Sequence, residues 1–367
     1  MNGPLFDRRR LRLRPLSERR NKVSFPRDAV SPDQRPRALA PGSAAIVHET
    51  AARVRAARAA GKPVICAFGA HAIKNGLGPV LARLVRDGWL THLATNGAGI
   101  IHDWEIAFQG QTSEDVRENV GRGEFGTWEE TGRFIGLGLL VGAWRGLGYG
   151  ESIGRLIEEE GLEIPTVTVL EEAAAGFRDR PDRAAAAIEL LDACREFTVV
   201  PGRLEVPHPF RQFSLQAAAV RLGVPFTGHP MIGHDIIYTH PLVSGAAIGR
   251  TAMRDFLCFA AAVSGLDGGV YMSVGSAVMS PMVFEKSLSM AQNLARQNGT
   301  VIANHFMLVV DIAPSAWDWG RDGEPPASDP AYYMRWCKTF SRMGGTMRYL
   351  SADNRDFFLS LLQQLGT

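Results

Sequence analysis

Only five of the forty basic residues in this chain are lysines, Lys22, Lys62, Lys74, Lys286 and Lys338; the others are arginines. Arginine stays charged and binds anions, whereas a desolvated lysine can lose its proton and attack a carbonyl or imine carbon. A chain that so strongly prefers arginine makes each remaining lysine a candidate for chemistry. Lys338 is the foremost of them. It closes the run Tyr332-Tyr333-Met334-Arg335-Trp336-Cys337-Lys338, after a proline-rich segment in which Asp318, Asp322, Glu324 and Asp329 stand against one arginine, Arg321. Such acids suit a cationic substrate such as a polyamine. The plain alternatives are a solvated helix residue for Lys338 and a surface loop for the acids.

The densest titratable cluster is Gly228 to His240, with His229, His234, Asp235 and His240. Its histidines are five and six residues apart, which matches neither a helical i, i+4 pair nor a familiar zinc signature. A substrate-binding loop is the better reading; metal-dependent hydrolysis through these four residues is the alternative. Three further segments carry glycine where a strand would end: Phe68-Gly69-Ala70-His71, Asn96-Gly97-Ala98-Gly99 and Val274-Gly275-Ser276-Ala277. Small residues there let backbone N–H groups approach a phosphate. None is a complete G-x-G-x-x-G, but three at equivalent strand ends favour a dinucleotide. His102, Asp103 and Glu105 follow the second of them. The acids there suit a helix start, and His102 suits a cofactor contact.

These residues need elements to hold them. The apolar runs at 63–69, 91–95, 224–227, 269–274, 301–311 and 346–350 predict buried strands. Helical patterns at 43–60, 78–88, 214–222, 247–264, 281–297, 331–342 and 354–365 alternate with them. That alternation predicts an α/β, Rossmann-like fold, a mostly parallel sheet flanked by helices, with a helical insertion at about 128–196 in one domain spanning 41–367. Residues 1–40 hold eleven basic and four acidic residues in a chain whose net charge is only +2, so the body is mildly acidic and unlike a nucleic-acid binder. The basic head, poor in large apolar residues, reads as disordered. The chain has no long apolar run for a membrane, and four scattered cysteines suit a reducing cytoplasm.

From about Ile65 onward, weakly over 110–205, the order of these pieces resembles deoxyhypusine synthase and its relatives, the homospermidine synthases. Gly76 to Asp103 resembles that family's helix, strand and T-T-A-G-G-V-E-E-D loop. Ser214 to Phe226 followed by Asp235-Ile236-Ile237-Tyr238 resembles its I-P-V-F strand and substrate loop. Trp336-Cys337-Lys338 resembles its W-G-K, and Tyr349 to Phe358 its closing strand and helix. The resemblance implies a homotetramer that binds NAD and oxidises spermidine. It also implies capture of the aminobutyl group as an imine on Lys338 and transfer to an acceptor, a protein lysine or a small diamine. By position, Asn96, Gly97, His102, Gly275, Ser276 and Asp353 would contact NAD. Asp235, Trp336, Asp318 and Asp322 would line the amine site, with Trp336 helping to exclude water. His102 stands where the family has a glutamate, and Ser280 where it has a histidine. A diverged nucleotide-binding protein without transferase chemistry is the other reading.

Overall fold

The computed structural model describes residues 3–366. It begins with β1 (Asn21–Ser24) and α1 (Pro41–Ala59), then β2 (Val64–Phe68), α2 (Ala70–Lys74), α3 (Gly78–Arg86), β3 (His92–Asn96) and α4 (Gly97–Gln109). A mostly helical excursion follows: β4 (Gln111–Glu114), α5 (Val116–Arg122), α6 (Glu129–Arg145), α7 (Tyr149–Glu158), β5 (Gly161–Ile164), α8 (Val167–Ala175), α9 (Pro181–Glu196) and β6 (Gly202–Glu205). The chain re-enters the body with α10 (Leu215–Leu222), β7 (Phe226–His229), α11 (Gly245–Ser264), β8 (Val270–Val274) and α12 (Met279–Gln297). It ends with β9 (Phe306–Asp311), α13 (Arg335–Ser341), β10 (Thr346–Ser351) and α14 (Asn354–Gly366).

Six of these strands form one parallel sheet in the order β10-β9-β8-β2-β3-β7. Their continuous apolar sequences follow from burial on both faces, since parallel strands are covered by their own crossover helices. Alternation then divides each strand between two cores. Val64, Cys66 and Phe68 of β2 join the core shared with α1, α3 and α14, while Ile65 and Ala67 join Phe259, Phe284 and Phe340 on the other face. Read along the chain, the sheet steps from β2 to β3 to β7, then returns to the far side of β2 for β8, β9 and β10. This is the doubly wound order, with the winding reversing between β2 and β8; in dinucleotide-binding folds of this order the ligand lies outside the carboxyl ends of the strands at the reversal. The expected α/β, Rossmann-like architecture is therefore the one observed. All six sheet strands overlap the apolar runs that predicted them, though β7 sits two residues later than 224–227 and 301–305 is a loop. Asp267 Oδ1 accepts the backbone N–H groups of Ala303 and Asn304 there, at 3.0 and 2.8 Å.

The basic head is the larger departure, because it is packed rather than disordered. Strand β1 pairs with β4, Leu16 is buried, and the Arg8 guanidinium donates to the carbonyls of Tyr238, His240 and Val243. Arg19 makes a two-pronged ion pair with Glu105 of α4, both contacts at 2.7 Å. Both side chains are only 1% exposed. A local reading of arginine-rich sequence finds solvated charge. The partners here lie 86 and more than 200 residues away, where no local pattern reveals them.

Removing one member of a buried pair strands the other charge. Arg19→Ala is therefore expected to lower unfolding stability by about 3–5 kcal/mol in urea titrations, and Arg19→Met combined with Glu105→Leu to recover most of that loss.

Candidate functional site

The carboxyl ends of β2, β3 and β7 deliver α2, α4 and the loop 230–236 to one side of the sheet. Between them and the β4 turn lies a cleft of about 200 Å³. Helix α4 starts there because Asn96 caps it, its side-chain oxygen accepting from the Gly99 N–H at 2.9 Å. Gly97, the next residue, has no room for a side chain: a Cβ would overlap the Asp235 carboxylate. Asp235 thus lies directly against the amino end of α4, which brings two of the residues expected to act, Gly97 and Asp235, into contact.

Most charges facing the cleft already have partners. Arg19 and Glu105 hold each other, and Glu105 also accepts from the hydroxyls of Thr112 (2.6 Å) and Thr131 (3.2 Å). Glu114 accepts from Asn119, the Gly126 N–H and the Trp128 indole. Asp235 differs. Its Oδ2 is buried without a hydrogen-bond partner, and the equally buried hydroxyls of Tyr149 and Tyr238 also lack one. Burial pushes the Asp235 carboxyl up to about 6, with His234 opposing the shift. A buried carboxylate oxygen lacking a donor is costly, so the site is shaped for a cation or an N–H donor from outside.

His102, expected to contact a cofactor, lines the same cleft as Asp235. Its Nδ1 is 2.7 Å from the Thr112 hydroxyl, whose single hydrogen goes to Glu105. Nδ1 must therefore carry the proton, leaving Nε2 as an acceptor. Burial holds this ring down at about 4, so it is neutral at ordinary pH.

The crevice at the sheet's reversal is also glycine-built. A Cβ on Gly69 would overlap the Gly275 carbonyl oxygen, so the β2 and β8 turns meet backbone to backbone. Gly275 has φ +57° and packs against Asn354 at the start of α14. Asp353 stands there too, its Oδ1 accepting from the Arg355 N–H at 2.8 Å and its carboxylate 3.8 Å from Arg37. Ser276 accepts from the Ser280 N–H at 3.2 Å, and the Ser280 hydroxyl bonds Tyr271 at 2.7 Å. Gly275, Ser276 and Asp353 are thus brought together, apart from Asn96, Gly97 and His102 at the neighbouring strand end.

Lys338 is not in this cleft, contrary to a single site shared with Asp235. It sits on α13, which packs on β10 and α12 at the other edge of the sheet. At ~4.8 Å per strand step, the five steps from β10 to β7 put roughly 24 Å of sheet between the two edges. Its Nζ is 2.7 Å from Glu324 and 3.6 Å from the centre of the Tyr332 ring, with the side chain only 15% exposed. Both contacts are those of a cation. Trp336 packs into the neighbouring core instead of covering Lys338. Of the two expected acids, Asp318 caps its own loop through Gly320 and Arg321, and Asp322 pairs with Arg321. The histidines of 229–240 diverge as well. His229 bonds Thr227, His240 faces Glu129, and His234 is exposed. Among the described residues no three metal-capable side chains converge.

Tyr149 was passed over by local reading, and Glu105, expected only to suit a helix start, is instead the buried partner of Arg19. Arg19 was hidden in the basic head. Lys74 did carry a signal, lysine scarcity, and it lines the cleft. Asp103, expected at a helix start, instead caps α10 through Ser214, Leu215 and Gln216.

No family profile and no curated protein matches the chain. Among solved structures, AgrE in ternary complex with ornithine and NAD⁺ is similar at 16% identity and a TM-score of 0.44, over 90% of this chain and 34% of that one. A LOR/SDH-type protein from Methanococcus maripaludis S2 is similar at 12% identity and 0.43, over 92% and 73%. ArgZ, a cyanobacterial arginine dihydrolase of the ornithine-ammonia cycle, is similar at 15% and 0.42, over 88% and 32%. The chain thus spans about a third of the length of AgrE and ArgZ. Among the described residues no helix is long and apolar enough to cross a membrane.

Because Asp235 binds its proton more tightly folded than unfolded, it stabilises the fold below about pH 4, and that contribution is lost as pH rises through about 6. Unfolding free energies measured across pH 4–8 are expected to show this decline in the wild type and a flatter profile in Asp235→Asn. Identical profiles would show that Asp235 does not titrate in this range.

Proposed function

We propose that the chain is an NAD-dependent enzyme acting on amines. The observation that carries this is the buried, donor-less carboxylate oxygen of Asp235 in a cleft at the strand ends of a sheet with the strand order of dinucleotide folds. The strand order supports the cofactor, since it is that of dinucleotide folds, in which the ligand lies beyond the carboxyl ends of the strands where the winding reverses; here the Gly69 and Gly275 turns pack their backbones together at that point. NAD, when bound, supplies an acceptor for the hydride lost when a C–N bond is oxidised. Gly275, Ser276 and Asp353 would hold it on one side, and Asn96, Gly97 and His102 on the other. Asp235 orients an ammonium group of the substrate, and the surrounding tyrosine rings exclude water. The Nε2 of neutral His102 accepts a hydrogen bond from the amine that must lose its proton.

The family resemblance adds the finer reading, transfer of an aminoalkyl group from a polyamine such as spermidine through an imine on Lys338. In one chain Lys338 is too far from Asp235 to capture that group. The reading therefore requires Lys338 of a second copy to approach the cleft, in keeping with the homotetramer the resemblance implies. Glu324 would have to release the amine first.

Two measurements separate these levels. Amine-dependent NADH formation is expected to rise about tenfold per pH unit up to about pH 6 and then level, as Asp235 ionises. Asp235→Asn should lower kcat/KM about 10–100-fold, the worth of one charged hydrogen bond, and abolish that pH limb. Borohydride added with NAD and spermidine is expected to leave an adduct on Lys338 and none in Lys338→Arg. NADH formation without any adduct would retain amine oxidation and remove the transfer step.

A further inference from the structure

Seven charged or titratable side chains line the cleft: Arg19, Lys74, His102, Glu105, Glu114, His234 and Asp235. Arg19, Glu105 and Glu114 are committed to partners, His102 is held neutral, and His234 lies exposed at the rim. Two opposite charges remain. Lys74, half-buried on α2, makes no hydrogen bond or ion pair among the described residues, and Asp235 keeps its bare oxygen. These two do not pair with each other although they face the same 200 Å³ space. Each stands on its own scaffold, Lys74 on the helix after β2 and Asp235 in the loop after β7.

A cavity with separated, uncompensated charges of both signs is complementary to a ligand that carries both. We infer that the cleft takes an amino acid, its carboxylate on Lys74 and its ammonium on Asp235, in preference to a plain diamine. A diamine would direct its second ammonium at Lys74, and like charges in a partly desolvated space are disfavoured. The volume agrees, since about 200 Å³ is below the roughly 300–1,000 Å³ of pockets for drug-sized ligands. The inference rests on reading Asp235 as an ammonium site and refines it by naming the substrate class. Lys74 also follows the first strand of a dinucleotide sheet, where phosphates bind. Lys74 nonetheless lines the cleft that Ser113, Phe125 and Asp235 also line, whereas the Gly69–Gly275 crossing is filled by its own backbone.

Lysine and cadaverine differ only by the carboxylate and so isolate this contact. Calorimetric titration of the full-length protein with NAD at pH 8 is expected to show lysine binding at least tenfold tighter than cadaverine. Lys74→Met should weaken lysine alone and erase the preference, Lys74→Arg should keep it, and Asp235→Asn should weaken both ligands. NAD affinity, titrated separately, should be unchanged in Lys74→Met. Equal binding of the two ligands to the wild type would overturn the carboxylate site and leave the amine reading standing. Loss of NAD affinity in Lys74→Met, with lysine unaffected, would reassign that residue to the dinucleotide. Failure of both ligands to bind would overturn this inference together with the amine site beneath it. Near-UV circular dichroism of each variant confirms that a lost affinity is not a lost fold.

Discussion

The ion pair between Arg19 and Glu105 organises much of what surrounds it. It draws an arginine-rich head across helix α4, sets β1 against β4, and so builds the wall of the cleft opposite Asp235. It also decides which charges remain available. Glu105 is neutralised by Arg19 and two hydroxyls, and the same Thr112 hydroxyl fixes the tautomer of His102. With those groups satisfied, Asp235 is left as the acid with unmet hydrogen-bonding capacity. A buried pair of this kind adds little net stability, because desolvation offsets most of its attraction. Its effect is to make one arrangement of head and cleft far better than any other.

The sheet supplies a second constraint. Winding reverses between β2 and β8, where their turns meet, while the β3 and β7 ends build the separate cleft of about 200 Å³ beside that point. Glycine is required in both places for the same reason, close approach. At Gly69 the neighbour is a backbone carbonyl, and at Gly97 it is a carboxylate. Placing a positively polarised helix start against Asp235 also favours its ionised form, while burial opposes it.

Local pattern exposed the strands well. Both faces of this sheet are covered, so each strand is a short apolar run bounded by turns, and such runs are readable without partners. Glycine turns at strand ends, the Asp235 loop and the unusual rarity of lysine were readable for similar reasons, each being a property of neighbouring residues or of composition. The elements that local pattern did not reveal share a different property. β1, β4, β5 and β6 are four-residue ribbons of mixed polarity, and their pairing depends on contacts with distant segments. The head carries polar sequence that is ordered only because its arginines meet remote carbonyls and a buried acid.

Sequence alone thus determined the class of fold, the positions of its core strands and a short set of residues able to do chemistry, because periodicity and residue type are local. Tertiary structure alone decided which of those residues meet. It set Lys338 at one edge of the sheet with Glu324 and Tyr332, and Asp235 at the other with His102 and Lys74 in the same cleft. Strand order is the physical reason. Residues far apart in the chain become neighbours or strangers according to where the sheet reverses, and that choice is made by the packing of whole elements.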